Sequence, residues 1–446
     1  MTVGAECCLE GATDRVNRQI RTRLTIDNPK YMAAKRYGRW IGKGIRPKLY
    51  YFRQEEERLY FPRGFANQAV LICRQLMGCA PRLIDRRHQL AEVSFCFQGT
   101  LRPYQEEAVK AVTARSFGVL EAGTGSGKTV MALKIIAERK QPALIVVHSR
   151  ELLYQWQERI SEFLGLEAGL IGDGHCTITP LSVAIVNSAR KHLGRLPARF
   201  GHLVVDECHR VPASLFTDVV SRFDCHYMLG LSATAFRRED GMTSLIYTYL
   251  GDRIHRVDTE VLAASGALVR PRFIQKETGF QCHYRGEYTK LLKRLTIDEQ
   301  RNSLIVEDIV SLVGKGHQGT ILVVSDRVAH CETLYDSLVD RNIAAGLLTG
   351  RMEAQRRNSM ISRVRQGEVQ VLVATLQLIG EGFDCPGLST LVLATPIRYE
   401  GRLLQVVGRV MRPAEGKEAL VIDYVDSRIA VLRNSARARS KIFSRL

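Results

Sequence analysis

Between about Gly99 and Val269, short apolar runs alternate with amphipathic stretches. Phe117 to Leu120, Ala143 to Val147, Ser182 to Val186, His202 to Val205 and Tyr227 to Leu231 are β-rich and too short for helices. The segments between them carry apolar residues at helical spacing. Strands alternating with helices predict a parallel sheet covered on both faces. The alternation resumes over 299–446, in Thr320 to Val324, Ala344 to Leu348, Val369 to Ala374, Thr390 to Ala394 and Ala419 to Ile422. Between the two blocks, 271–298 reads as a linker with two tyrosines, Tyr284 and Tyr288. Residues 1–98 are patterned differently. There, Lys48 to Phe52 and Arg58 to Phe61 flank the acidic turn Gln54 to Glu57, which predicts a hairpin ending in Pro62-Arg63-Gly64. The predicted class is α/β: parallel-sheet domains over 99–270 and 299–446, preceded by a small basic α+β accessory domain over 1–98.

Charge sharpens this picture. The 446 residues carry 64 Lys and Arg against 46 Asp and Glu, a net charge of +18, which favours a polyanionic partner over a neutral one. Half of that surplus lies in residues 1–98, with 18 Lys and Arg against 9 Asp and Glu. Aromatics are interleaved with these bases: Tyr31, Tyr37, Trp40, Tyr50, Tyr51, Phe52, Tyr60 and Phe65. Such mixing can stack bases and track phosphates, or form the core of a small domain under long basic side chains. The 11 cysteines show no Cys-x-x-Cys spacing, which argues against a zinc ribbon or a disulfide framework. No 18-residue apolar run predicts a membrane span, so the expected location is cytoplasmic.

Candidate chemistry begins at Glu121-Ala122-Gly123-Thr124-Gly125-Ser126-Gly127-Lys128-Thr129, between an apolar run and a helical pattern. In a strand–loop–helix of this kind, glycines let backbone N–H groups curl around a phosphate at the positive end of the helix. Lys128 is placed to reach the β- and γ-phosphates and Thr129 to hold Mg²⁺. Ala122 stands where the pattern has Gly, so the match is a variant one. Val204-Val205-Asp206-Glu207-Cys208-His209 ends a strand in two carboxylates. Alone, such a pair is as often a turn or helix-start feature. After a phosphate loop, Asp206 suits Mg²⁺ binding and Glu207 the orientation and deprotonation of a water.

Asp206-Glu207-Cys208-His209, with the Lys-Thr loop before it and Leu231-Ser232-Ala233-Thr234 after it, resembles the superfamily-two helicases and translocases. The resemblance covers roughly Leu101 to Asp426 and implies two tandem RecA-like motor domains sharing a nucleotide site, with ATP and Mg²⁺ as cofactors. It implies that Gln105, in Leu101-Arg102-Pro103-Tyr104-Gln105, reads the adenine edge. In His148-Ser149-Arg150-Glu151-Leu152-Leu153 and Val186-Asn187-Ser188-Ala189-Arg190 it implies strand contacts, at Arg150 and Asn187. Ser232 and Thr234 would couple the ATP state to strand binding, with His209 and Gln405 in the same coupling. Ala374-Thr375-Leu376-Gln377-Leu378-Ile379-Gly380-Glu381-Gly382-Phe383-Asp384 resembles the fifth motif, with Thr375 on the strand and Gly382 and Asp384 facing ATP. Gln405-Val406-Val407-Gly408-Arg409-Val410-Met411-Arg412 resembles the sixth. The spacing of Arg409 and Arg412 puts them near one helical face as candidate arginine fingers.

Within that superfamily, Asp-Glu-Cys-His, Arg238-Glu239-Asp240-Gly241 and the basic leading domain resemble the XPB-like and phage branch-migration helicases. The linker is too short for the full thumb insertion of that group. The resemblance therefore implies an ATP-dependent DNA helicase or translocase, moving 3′ to 5′ on single-stranded, duplex or branched DNA in repair or recombination. A duplex translocase without net unwinding and an RNA helicase are the alternatives. A nucleic-acid-binding protein with a decayed site is disfavoured, because Lys128, Thr129, Asp206, Glu207, Arg409 and Arg412 are all present.

Overall fold

The computed structural model describes the chain outside positions 37, 39, 43, 124, 210–212, 234–241, 285, 351, 381–384, 386, 399, 413–416 and 445–446. At 36, 213, 259, 354 and 380 it describes the backbone alone. Two compact units result: one comprises Met1–Gly123 and Gly127–Val257, and the other is built on Asp258–Leu446.

The main sheet of the first unit runs in the order His175–Cys176, Gly169–Gly172, Leu181–Ile185, Ala143–Val147, His202–Val205, Tyr227–Ser232, Phe117–Ala122, Arg253–Val257. Only the first two neighbours are antiparallel. Ala143–Val147 and His202–Val205 are buried at every position. A parallel strand covered by helices on both faces must be apolar on both, which is why these runs are unbroken in the sequence. Leu144, Val146, Leu203 and Val205 pack with Phe216, Val219 and Phe223 in one core. From Phe117–Ala122 the chain passes through helix Lys128–Arg139 to Ala143–Val147, three places away in the sheet. Such a jump opens space at the carboxyl ends of the strands, where loops can gather without crossing.

Residues 1–98 form their own sheet, in the order Arg53–Glu55, Arg58–Pro62, Glu6–Glu10, Thr2–Val3, Ile84–Asp85. Val16 and Ile20 of helix Asp14–Arg23, and Ala69 and Ile72 of helix Ala66–Met77, join Leu59 and Phe61 in its core. The hairpin differs from expectation. Arg53–Glu55, not Lys48–Tyr50, pairs with Arg58–Pro62, through a turn at Glu56 with φ of 52°. Lys48 and Tyr50 are both exposed, so Lys48–Tyr50 has no apolar face for the core and pairs with Thr25–Asp27 in a separate ribbon. Within the first unit these elements are seated on the main sheet. Arg63 is buried and donates to the Cys225 carbonyl at 2.6 Å. A Cβ on Gly64 would lie 2.5 Å from the Gly251 nitrogen, so the two backbones touch.

The second unit holds six parallel strands in the order Arg272–Glu277, Leu420–Val425, Leu388–Leu393, Thr320–Ser325, Val371–Thr375, Ala345–Leu348. The segment read as a linker is corrected here. Arg272–Glu277 is the edge strand of this sheet, and helix Tyr288–Thr296 buries Leu291, Leu292 and Leu295. An edge strand with mostly exposed or half-buried side chains carries no apolar run to announce it. Together the two sheets establish the α/β class.

Candidate active site

The strand order places three carboxyl ends on one rim, because His202–Val205, Tyr227–Ser232 and Phe117–Ala122 are consecutive parallel neighbours. Ala122 ends its strand and is buried; Gly123 is half-buried, Gly125 exposed and Ser126 buried. Gly127 has φ of 79°, a left-handed conformation open to glycine, and a Cβ there would lie 2.4 Å from Gln105 Nε2. Gln105 thus packs directly on the loop. Its Oε1 accepts from the Arg102 backbone N–H at 2.9 Å, closing a capping box that starts helix Pro103–Thr113.

Helix Lys128–Arg139 begins at the loop, and the N–H groups and dipole of a helix start favour an anion at its first turn. Lys128 Nζ donates to the Ala122 carbonyl at 3.0 Å and to the Gly123 carbonyl at 3.4 Å. It also lies 3.8 Å from Glu207 Oε1. Thr129 follows on the same turn, half-buried.

Asp206 sits at the end of the neighbouring strand but one. Its Oδ2 accepts from Trp156 Nε1 at 2.7 Å and its Oδ1 from the Glu207 backbone N–H at 2.8 Å. Burial, and after it the charge of Glu207, push the Asp206 carboxyl up to about 6. Glu207 holds a φ of 43°, a left-handed backbone that non-glycine residues adopt at a cost of about 1–3 kcal/mol. Its carboxylate lies between Lys128 and His209, Oε1 toward Lys128 and Oε2 toward His209 Nδ1, at 3.3 Å. Ser232 Oγ lies 2.9 Å from the same His209 nitrogen. Five of the residues singled out in the sequence, Lys128, Asp206, Glu207, His209 and Ser232, therefore form one connected cluster.

Other candidates belong to other elements. Arg150 is exposed at the start of helix Arg150–Leu164, 3.6 Å from Asp173, and Asn187 is exposed in helix Val186–Lys191. In the second unit, Thr375 ends its strand, buried and in register with Ser325. Gln405 and Arg409 are buried in helix Glu400–Val410. Arg412 follows the end of that helix, its carbonyl accepting from Lys417 Nζ at 2.6 Å. Thr124, Thr234, Gly382, Asp384 and Arg238 to Gly241 lie outside the described residues. Trp156 escaped the sequence reading, since a tryptophan on the apolar face of a helix reads as core.

Comparison with known proteins bears on the family and the fold. Residues 98–237 match the family described as type III restriction enzyme, res subunit, and 304–414 match the helicase conserved C-terminal domain. The chain is 27% identical over 378 residues to the DNA 3'-5' translocase XPB2 of Sulfurisphaera tokodaii, covering 76% of this chain and 84% of that protein. It is 26% identical over 335 residues to the probable helicase D10 of Escherichia phage T5, covering 71% and 72%. The solved structure of S. cerevisiae Dbp5 bound to RNA and ADP BeF3 is alike in fold, with a TM-score of 0.56 at 17% identity over 78% of this chain and 92% of that one.

Proposed function

We propose, from the premise that this chain belongs to the superfamily-two helicases and is XPB-like, that it hydrolyses ATP to move along and unwind or remodel DNA. The observation that carries this reading is the Lys128–Glu207–His209–Ser232 connection, which ties a phosphate-binding lysine to a carboxylate and onward to a neighbouring strand end. DNA as the track and 3′ to 5′ polarity are supported by what the matched relative from Sulfurisphaera tokodaii is named for. Forked and branched substrates in repair or recombination follow from the XPB-like motifs.

In this mechanism the loop backbone from Ala122 to Thr129, with Lys128, cradles the phosphates, and Gln105 reads the base. Glu207 orients the attacking water and takes its proton. Thr129 and Asp206 would hold Mg²⁺, which when bound supplies positive charge to the phosphate oxygens. The residues present fit that ion: a buried carboxylate whose charged form is disfavoured by burial and by Glu207 is one that a dication would relieve. Arg409 and Arg412 of the second unit are assigned the charge that develops on the transferred phosphoryl group. His209 and Ser232 relay the state of the site to the strand contacts, for which Arg150, Asn187 and Thr375 are the candidates.

The test is ATP turnover with single-stranded, forked and fully duplex DNA and with RNA. DNA should stimulate the wild type, and the fork should be unwound. Stimulation by RNA alone would overturn the assignment.

A further inference from the structure

Of the two tryptophans in the chain, Trp156 is 1% exposed and Trp40 is 83% exposed. A large aromatic side chain left in water forgoes most of its burial energy, so its surroundings bear on what it meets. Trp40 is carried on an arm. Thr25–Asp27 and Lys48–Tyr50 pair as an antiparallel stem, with Thr25 opposite Tyr50 and Asp27 opposite Lys48. Asn28, buried, clamps the base of the arm: its backbone N–H donates to the Pro47 carbonyl at 2.9 Å and its Nδ2 to the Arg46 carbonyl at 2.8 Å. Its Oδ1 accepts from the Lys30 backbone N–H at 3.1 Å, starting helix Pro29–Arg36. One side chain thus closes the root of the 28–47 excursion, and Trp40 within it is exposed.

Beyond Asp27, the charge on this arm is of one sign. From Asn28 to Tyr50 the sequence holds seven Lys and Arg, at 30, 35, 36, 39, 43, 46 and 48, and no Asp or Glu. Lys30, Lys35, Arg46 and Lys48 are exposed, and none forms an ion pair with a described acid. Tyr50, 55% exposed, adds a second aromatic at the stem. An exposed ring on an arm with exposed cations fits a polyanion that offers flat apolar faces, which single-stranded nucleic acid does. A duplex offers the charge but keeps its base faces stacked.

We propose that the 28–50 arm is a single-strand-binding element, with Trp40 stacking on an unpaired base while Lys30, Lys35, Arg46 and Lys48 meet the backbone phosphates. This rests on the DNA-motor reading and adds to it a grip on the unpaired strand outside the motor sheets. It gives the accessory domain, seated through Arg63 on the first motor sheet, a task in recognising forks and tailed duplexes.

The experiment uses the full chain without nucleotide, with fluorescein-labelled oligo(dT), blunt duplex DNA and phosphatidylserine vesicles as probes. Trp40→Ala should weaken oligo(dT) binding about tenfold, Trp40→Phe should restore most of it, and blunt-duplex affinity should stay within about twofold. Replacing Lys35 and Lys48 by Gln should flatten the salt dependence of oligo(dT) binding. Equal thermal unfolding of Trp40→Ala and wild type is expected for a side chain this exposed. Unchanged oligo(dT) binding by Trp40→Ala would overturn the proposal. So would loss of vesicle binding with oligo(dT) binding intact, which would make the arm a membrane element. If Trp40-dependent oligo(dT) binding is found but ATP turnover ignores DNA, the arm stands and the motor reading falls.

Discussion

Trp156 Nε1 donates to Asp206 Oδ2 at 2.7 Å, joining a helix 50 residues upstream to the carboxylate at the strand end. The bond favours the ionised carboxylate, against the burial and the neighbouring Glu207 that push it up. Trp156→Phe removes the donor and keeps most of the apolar bulk. It should cost about 1–3 kcal/mol of stability and raise the Mg²⁺ concentration needed for half-maximal ATP turnover. Chemical denaturation and a Mg²⁺ titration of turnover check the two halves separately. Unchanged Mg²⁺ dependence would reduce Trp156 to a packing residue.

Lys128 and Glu207 face each other at 3.8 Å but do different work in the proposed reaction. Lys128→Ala should abolish turnover and weaken nucleotide binding. Glu207→Gln should lower turnover by at least 100-fold while leaving nucleotide affinity near wild type, because it removes a base and keeps the shape. Parallel nucleotide-binding and turnover measurements distinguish them. Wild-type turnover in either variant would place the site elsewhere.

Both sheets and this cluster were legible because each is written in local patterning. His202–Val205 is a buried parallel strand and therefore an unbroken apolar run, and Asp206-Glu207 interrupts it where the strand meets the rim. Edge positions were not legible. Arg272–Glu277 and Arg253–Val257 carry arginines and other polar side chains outward, so neither shows an apolar signature, and 271–298 read as a linker. Pairing partners were equally hidden. Lys48–Tyr50 has strand-like residues, but which strand it joins is decided by Leu59 and Phe61, whose burial commits Arg58–Pro62 to another sheet. Trp156 and Arg63 act through contacts 50 and 162 residues away in sequence, a distance no spacing rule reaches.

Gly64 marks where the N-terminal elements meet the end of helix Ser244–Leu250. A methyl group there would meet the Gly251 nitrogen at 2.5 Å and the Tyr247 carbonyl oxygen at 2.6 Å, both backbone atoms that cannot rotate away. Gly64→Ala should destabilise the first unit by about 2 kcal/mol or more. Limited proteolysis should then cut between the N-terminal elements and the main sheet sooner than in wild type, and an unchanged cleavage pattern would show that this junction yields easily.

The second unit is locked by Arg301 and Asp426, both with fully buried side chains, at 2.8 Å. Arg301 also donates to the Ala394 carbonyl at 2.7 Å, and Asp426 accepts from Thr278 at 2.5 Å, so the pair joins four segments. Arg301→Met strands a buried carboxylate and should cost about 3–5 kcal/mol, whereas Arg301→Met with Asp426→Leu should recover much of that loss. Urea unfolding of the single and double variants measures the difference.

Acid should destabilise the second unit through His330. The ring is buried between Ser325 Oγ, 2.9 Å from Nδ1, and Asn302 Oδ1, 2.9 Å from Nε2. That arrangement suits a neutral ring accepting from the hydroxyl and donating to the amide oxygen. Burial, and after it the charge of Arg301, push the imidazole down to about 3. In the unfolded chain the ring titrates near its ordinary value, so between about pH 6.5 and 3 the unfolded state binds the extra proton. Stability from this residue is fully present above the ordinary histidine range and falls as pH drops through that window, by up to about 1.4 kcal/mol per pH unit. Equilibrium unfolding from pH 7 to 4 should show the slope. His330→Gln, which keeps a donor and an acceptor but cannot charge, should be less stable at pH 7 and flatter toward acid; an equal slope in the variant would assign the acid sensitivity to other groups.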